Sequence, residues 1–253
     1  MLPFDTSSNR LSWANIRACG EAAATAYVST TIENAKTDTG VRIDERENCI
    51  VVAFRGSRNL RDFIQDFKAR AEHPRTQTLW ANDDLAMEVH TGILENFESV
   101  AEELVHTLHL LPAGKPIFVT GHSKGGGEAL LAAMELDRNK FTVHNVITFG
   151  GLRVLNGIGR VIYDANLRER TFRVVNQNDI VPRLPLWTMG YRHCGQEVFL
   201  PVGSGWILNP GLTGKIISDL LGLYGAWRHR ADVLVSDHVL GGAYGYFSRI
   251  KDL

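Results

Sequence analysis

Gly121-His122-Ser123-Lys124-Gly125 sets a serine between two glycines, where the β-rich run Pro116 to Thr120 gives way to the helical run Glu128 to Leu136. Strand, tight turn and helix in that order are the context of a nucleophile elbow. Such a turn holds its serine in a strained backbone conformation, so the flanking residues must be small, as Gly121 and Gly125 are. It also exposes the Ser123 hydroxyl at the N-terminus of the next helix, where developing negative charge is stabilised. The chemistry this serves is nucleophilic attack on a carbonyl. A phosphate-cradling loop needs Gly-Lys ahead of Ser or Thr so that the hydroxyl reaches a metal; here the order is reversed.

A serine hydroxyl is a poor nucleophile at neutral pH, so it needs a base, and the base needs an orienting carboxylate. In α/β-hydrolase chains the order is Ser, then Asp or Glu, then His. Asp179 is the best acid: it lies in Val174-Val175-Asn176-Gln177-Asn178-Asp179-Ile180-Val181-Pro182, just past a strand, where side chains emerge at the carboxyl edge of a parallel sheet. Its ordinary reading is a turn-forming Asp before a proline-containing loop. Asp164 lies in an amphipathic stretch and reads as a solvated helix residue. Three histidines follow. His229 belongs to the basic cluster Trp227-Arg228-His229-Arg230, and His193, ahead of the β-type run Gln196 to Leu200, suits loop support by hydrogen bonding. His238 immediately precedes the last helical run, where this fold needs its base, and is the choice.

The oxyanion needs two preorganised donors. The N–H of Lys124, next after the nucleophile, is one. Ser57 is the other, in Ala53-Phe54-Arg55-Gly56-Ser57 at the end of an earlier strand, although that run also reads as a plain strand-ending turn.

These residues need a sheet to gather them. Leu11 to Val28 is alanine-rich with helical period, and Val41 to Asp44 and Cys49 to Phe54 suggest a hairpin across Glu45-Arg46-Glu47-Asn48. Ile93, Phe97, Val100, Ala101, Leu104, Val105 and Leu108 mark one apolar helix face. The strands Ile117 to Thr120, Val143 to Phe149 and Thr171 to Val175 alternate with helical stretches. That alternation implies a mainly parallel central sheet with helices on both faces. At 253 residues the chain suits one α/β domain over residues 1–253.

With 27 Lys+Arg against 28 Asp+Glu, mixed along the chain, nucleic acid is disfavoured as a partner. Cys19, Cys49 and Cys194 have no metal-ligand spacing and read as small buried thiols. The N-terminus lacks the basic start and apolar stretch of a signal peptide, and no apolar run reaches transmembrane length. The expectation is a cytoplasmic protein, or one exported without a cleavable signal.

The chain resembles the class 3 lipase family, the filamentous-fungus type, with an α/β-hydrolase fold. The resemblance rests on Val51-Val52-Ala53-Phe54-Arg55-Gly56-Ser57, Val89-His90-Thr91-Gly92, Gly121 to Gly126, Thr148-Phe149-Gly150, Val174 to Pro185, Gly190 to Val198 and Asp237-His238. It implies Ser123 as nucleophile, Asp179 as acid, His238 as base, and Ser57 with Lys124 as oxyanion donors, in agreement with the choices above. Leucine usually follows the nucleophile in this family; Lys124 instead sets a cation beside the expected acyl site. The family's segment after the oxyanion residue is a helical lid. Here residues 58–67 carry an apolar stripe, Leu60, Phe63, Ile64 and Phe67, opposite Arg61, Asp62, Gln65 and Asp66, which reads as that lid or as an ordinary packed helix. Trp206 to Trp227 reads as a second amphipathic region.

The expected function is hydrolysis of carboxylic esters, acylglycerols or similar lipid esters first, at a lipid–water interface, with no metal or organic cofactor. The alternatives are a phospholipid acyl hydrolase or an esterase for small or aromatic esters on the same triad, and a non-catalytic binding module of the same fold.

Overall fold

The structure, a computed structural model, describes residues 2–59, 76–78, 87–177, 179–211, 237–242 and 245–251. Leu60, Phe63, Ile64 and Phe67 lie outside the described residues, as do His229 and most of the second amphipathic region.

Period-two alternation along the central strands builds two cores, one on each face of the sheet. In β3 (Ile50–Phe54), Val52 and Phe54 face one core while Val51 and Ala53 face the other; in β6 (Ile117–His122), Ile117 and Val119 oppose Phe118. Burial on both faces explains why these strands read as unbroken apolar runs. Among the described residues the sheet has eight strands, in the order β1 (Ile32–Asn34), β2 (Thr39–Glu45), β3, β6, β7 (Val143–Phe149), β8 (Thr171–Asn176), β9 (Gln196–Leu200) and β10 (Ile207–Leu208). From β3 to β9 all pairings are parallel, and the flanking strands run antiparallel. The expected hairpin is β2–β3, with Glu45 opposite Ile50 and Arg46 N–H on the Cys49 carbonyl at 2.9 Å. A separate two-stranded ladder pairs β4 (Thr76–Thr78) with β5 (Glu88–His90).

Helix α1 (Trp13–Thr25), N-capped by Ser12, lays Ile16, Ala22 and Ala23 into one core. The C-terminal α5 (Tyr246–Ile250) covers the same face with Tyr246 and Ile250. The opposite face is covered by α2 (Thr91–His109), α3 (Lys124–Arg138) and α4 (Gly157–Leu167). The stripe Ile93, Phe97, Val100, Leu104 and Leu108 is the buried face of α2, and Asn156 caps α4 by accepting the Gly159 N–H at 2.8 Å. All three cysteines are buried free thiols. Among the described residues, no helix is long and apolar enough to cross a membrane.

Candidate active site

Ser123 joins β6 to α3 with φ 58° and ψ −125°, a conformation that a residue carrying a Cβ rarely adopts. The expected strain is therefore present. Its cause is how closely the turn is folded. A Cβ on Gly121 would lie 2.2 Å from the Gly125 carbonyl oxygen, and one on Gly125 would lie 2.4 Å from that of Phe54. The Ser123 N–H reaches across to the Phe149 carbonyl at 2.9 Å, which seats the elbow on the end of the neighbouring strand. One expectation is corrected. The serine is not exposed but 1 % accessible, and its Oγ is buried with no hydrogen-bond partner.

Asp179, fully buried three residues beyond β8, meets His238 as expected: Nδ1 lies 2.9 Å from Oδ1 and 2.8 Å from Oδ2. A carboxylate oxygen accepts, so Nδ1 is the donor of this bond and Nε2 is the ring's remaining nitrogen. The carboxylate also takes the Tyr246 hydroxyl on Oδ2 at 2.6 Å and the Val181 N–H on Oδ1 at 2.9 Å. Burial, with the neighbouring Asp179 charge, pushes the Tyr246 phenol well above its ordinary pKa, so it stays a donor. His238 Nε2, like Ser123 Oγ, is buried and unpartnered. Neither atom is engaged by a competing bond, and in unliganded sites a hydrogen bond between a serine and a histidine is often unformed.

His122, inside the elbow motif, stacks on His238 with 4.6 Å between ring centroids. Gly150, just past the end of β7, has φ 58°. A Cβ on it would lie 2.7 Å from Asp179 Oδ2 and 2.8 Å from the His238 ring. Nothing along the chain shows these contacts, because Asp179 and His238 close over Gly150 from distant positions in the sequence.

The other candidates separate cleanly. Asp164 lies on α4, where it pairs with Arg160 at 3.3 Å and accepts the Gly195 N–H at 2.7 Å. His193 Nε2 donates to the Pro182 carbonyl at 2.6 Å, the loop support expected of it. The helix after His238 begins only at Tyr246; Tyr246 and Phe247 N–H groups fold back onto the Val239 and Leu240 carbonyls at 3.0 and 2.9 Å. Ser57 is half-buried at the end of β3, and Ser123 makes no side-chain cap bond to the first turn of α3, which begins at Lys124. The Lys124 cation turns into the β1–β2 turn: Nζ donates to the carbonyls of Thr37 and Asp38 and pairs with Glu128. Among the described residues, no group of three or more His, Cys, Asp or Glu side chains could hold a metal.

The geometry has relatives. Secreted mono- and diacylglycerol lipase 1 of Fusarium solani is 34% identical over 186 residues, covering 70% of this chain and 52% of that protein. The lipase of Rhizomucor miehei is 31% identical over 179 residues, 66% of this chain and 46% of that protein. The chain thus spans about half the length of these relatives. Among solved structures, lipase II from Rhizopus niveus superposes with a TM-score of 0.63 at 25% identity, over 77% of this chain and 83% of that one. The lipase from Rhizopus microsporus var. chinensis gives 0.61 at 26% identity, covering 78% of each. The fold is that of the α/β-hydrolases. The family description Lipase (class 3) matches residues 51–189, more than half of the sequence, and the chain belongs to the class 3 lipase family.

Proposed function

We propose that the chain hydrolyses carboxylic esters, acylglycerols first, through an acyl-enzyme on Ser123. One observation carries the reading: Asp179 holds His238 by Nδ1 at 2.8 Å, while His238 Nε2 and Ser123 Oγ are buried with nothing else to bind. Ser123 Oγ attacks the carbonyl carbon as His238 Nε2 takes its proton. Asp179 keeps the imidazole in the required tautomer and stabilises its charged form. The carbonyl oxygen becomes an oxyanion and takes the N–H groups of Ser57 and Lys124. His238 then protonates the leaving alcohol. Water, deprotonated by the same nitrogen, releases the acid and restores Ser123.

The names of the relatives, mono- and diacylglycerol lipases among them, support acylglycerols as the first class to try. A panel of p-nitrophenyl esters of graded chain length, run beside a triglyceride emulsion, tests this. Turnover rising sharply where the ester passes its solubility limit identifies a lipase acting at a lipid–water interface. Smooth saturation through that limit identifies an esterase. No turnover of any ester sinks the proposal.

A further inference from the structure

The two oxyanion donors belong to different elements: Ser57 follows β3 and Lys124 opens α3. Their spacing must hold to a fraction of an ångström, because a misplacement of about 1 Å costs roughly a hundredfold in rate. Backbone packing supplies part of that fixity, with Gly125 seated against the Phe54 carbonyl. The rest runs through the turn between β1 and β2. On one side of this turn, Lys124 Nζ donates to the Asp38 carbonyl at 2.7 Å and the Thr37 carbonyl at 3.3 Å, and pairs with Glu128 Oε1 at 3.3 Å. On the other side, the Asp38 carboxylate takes Arg55 Nη2 at 2.9 Å and the Arg58 N–H at 3.3 Å. Glu33 Oε1 takes Arg55 Nη1 at 3.1 Å and Arg58 Nη2 at 2.7 Å. Ser57 lies between Arg55 and Arg58, so both its flanks are tied to the turn that Lys124 grips.

Asp38 can face both ways because its backbone is left-handed, φ 50°, a conformation Asp tolerates better than most residues. Stability alone does not account for the arrangement. The Lys124 and Glu128 side chains are 4 % and 0 % exposed, and replacing such a buried pair by apolar residues of similar volume is often neutral or stabilising.

We propose that the Lys124 side chain is a positioning residue: with Glu128 and Asp38 it clamps the α3 terminus to the Arg55–Arg58 segment and fixes the distance between the two oxyanion N–H groups. The clamp rests on the ester-hydrolase reading above and deepens it.

The test uses Lys124→Met/Glu128→Met, which removes the pair without leaving a lone buried charge, and Asp38→Asn, which keeps a residue tolerant of the left-handed turn. Both are assayed on p-nitrophenyl butyrate, by thermal unfolding, and by affinity for a boronic acid that bonds to Ser123 and places an oxygen in the oxyanion hole. The double variant should keep its Tm and lose about tenfold to hundredfold in kcat with KM nearly unchanged. Boronate affinity should fall by a similar factor, and Asp38→Asn should show a smaller loss of the same kind. Wild-type kcat and boronate affinity in the double variant would reduce the network to a purely structural role. If that variant does not fold, Asp38→Asn decides, and an unchanged kcat there overturns the clamp. A wild-type protein that leaves Ser123 unlabelled by a fluorophosphonate overturns the hydrolase reading and the clamp with it. Labelling at Ser123 with unaffected variants overturns the clamp alone.

Discussion

His122 Nε2 donates to the backbone carbonyl of His238 at 2.7 Å, beneath the stacked imidazoles. A carbonyl only accepts, so His122 Nδ1 is the acceptor, and it receives the Tyr27 hydroxyl at 2.8 Å. The base of the candidate triad is therefore held twice, by its ring through Asp179 and by its main chain through His122. Burial, and then the nearby His238, pushes the His122 pKa well below its ordinary 6.5.

That shift fixes a pH dependence of stability. The unfolded chain protonates His122 near pH 6.5, while the folded protein keeps it neutral to lower pH. The unfolded state binds the extra proton, so stability is level in this respect above pH 6.5 and falls below it, by up to about 1.4 kcal/mol per pH unit. Glu128 has the opposite sign. Burial raises its carboxyl above 4.5, so its contribution is lost as pH rises through the raised value. Glu128 is common to both proteins in a comparison with His122→Gln and largely cancels. Urea unfolding from pH 7 to pH 5 should show the wild type losing more stability than His122→Gln; parallel profiles would mean that His122 is already charged in the fold.

Ser123→Ala should abolish ester turnover and fluorophosphonate labelling without lowering Tm. The lost Oγ has no hydrogen-bond partner in the fold. Ser123→Gly should go further and raise stability by about 1 kcal/mol, because glycine relieves a backbone held at φ 58°. A lower Tm in both variants would show that the elbow is unstrained.

Asp179→Asn and His238→Ala should each lower kcat by roughly 10⁴. Combined with Ser123→Ala, neither should add much, since the three act as a unit. Tyr246→Phe removes one of the donors on the carboxylate and should cost about tenfold to a hundredfold, in line with a net of roughly 1.5–3 kcal/mol for a hydrogen bond to a charged group. His193→Ala should leave kcat near wild type. If it proves more damaging than His238→Ala, the base has been misassigned.

Gly150→Ala should be inactive. The added methyl would press into both Asp179 Oδ2 and the His238 ring, and the residue is held at φ 58°. The backbone strain alone costs roughly 1–2 kcal/mol, so Tm should fall as well. A fully active alanine variant would mean that the triad tolerates a shift of about the width of that methyl, against the rule that small misplacements cost large factors in rate.

The sequence by itself made the candidate chemistry and the order of the central elements legible. The elbow, with both its glycines, lies within five consecutive positions, and the apolar faces of α2 and the central strands repeat at periods that read directly along the chain. The short edge strands β1 and β10 escaped that reading, since two or three residues are too few to show a period. Partnerships across the fold had no such pattern. Asp179 and His238 are 59 positions apart, Tyr27 and His122 95, and His122 and the His238 carbonyl 116. Lys124 shows the limit most plainly. Its place after Ser123 suggested a cation at the acyl site, but the buried end of α3 faces the β1–β2 turn 86 positions earlier, and the ammonium goes to the carbonyls there. A motif fixes where a residue stands on the backbone. Which way a long side chain leaves it depends on the polar groups that packing brings within its reach, and those come from elsewhere in the chain.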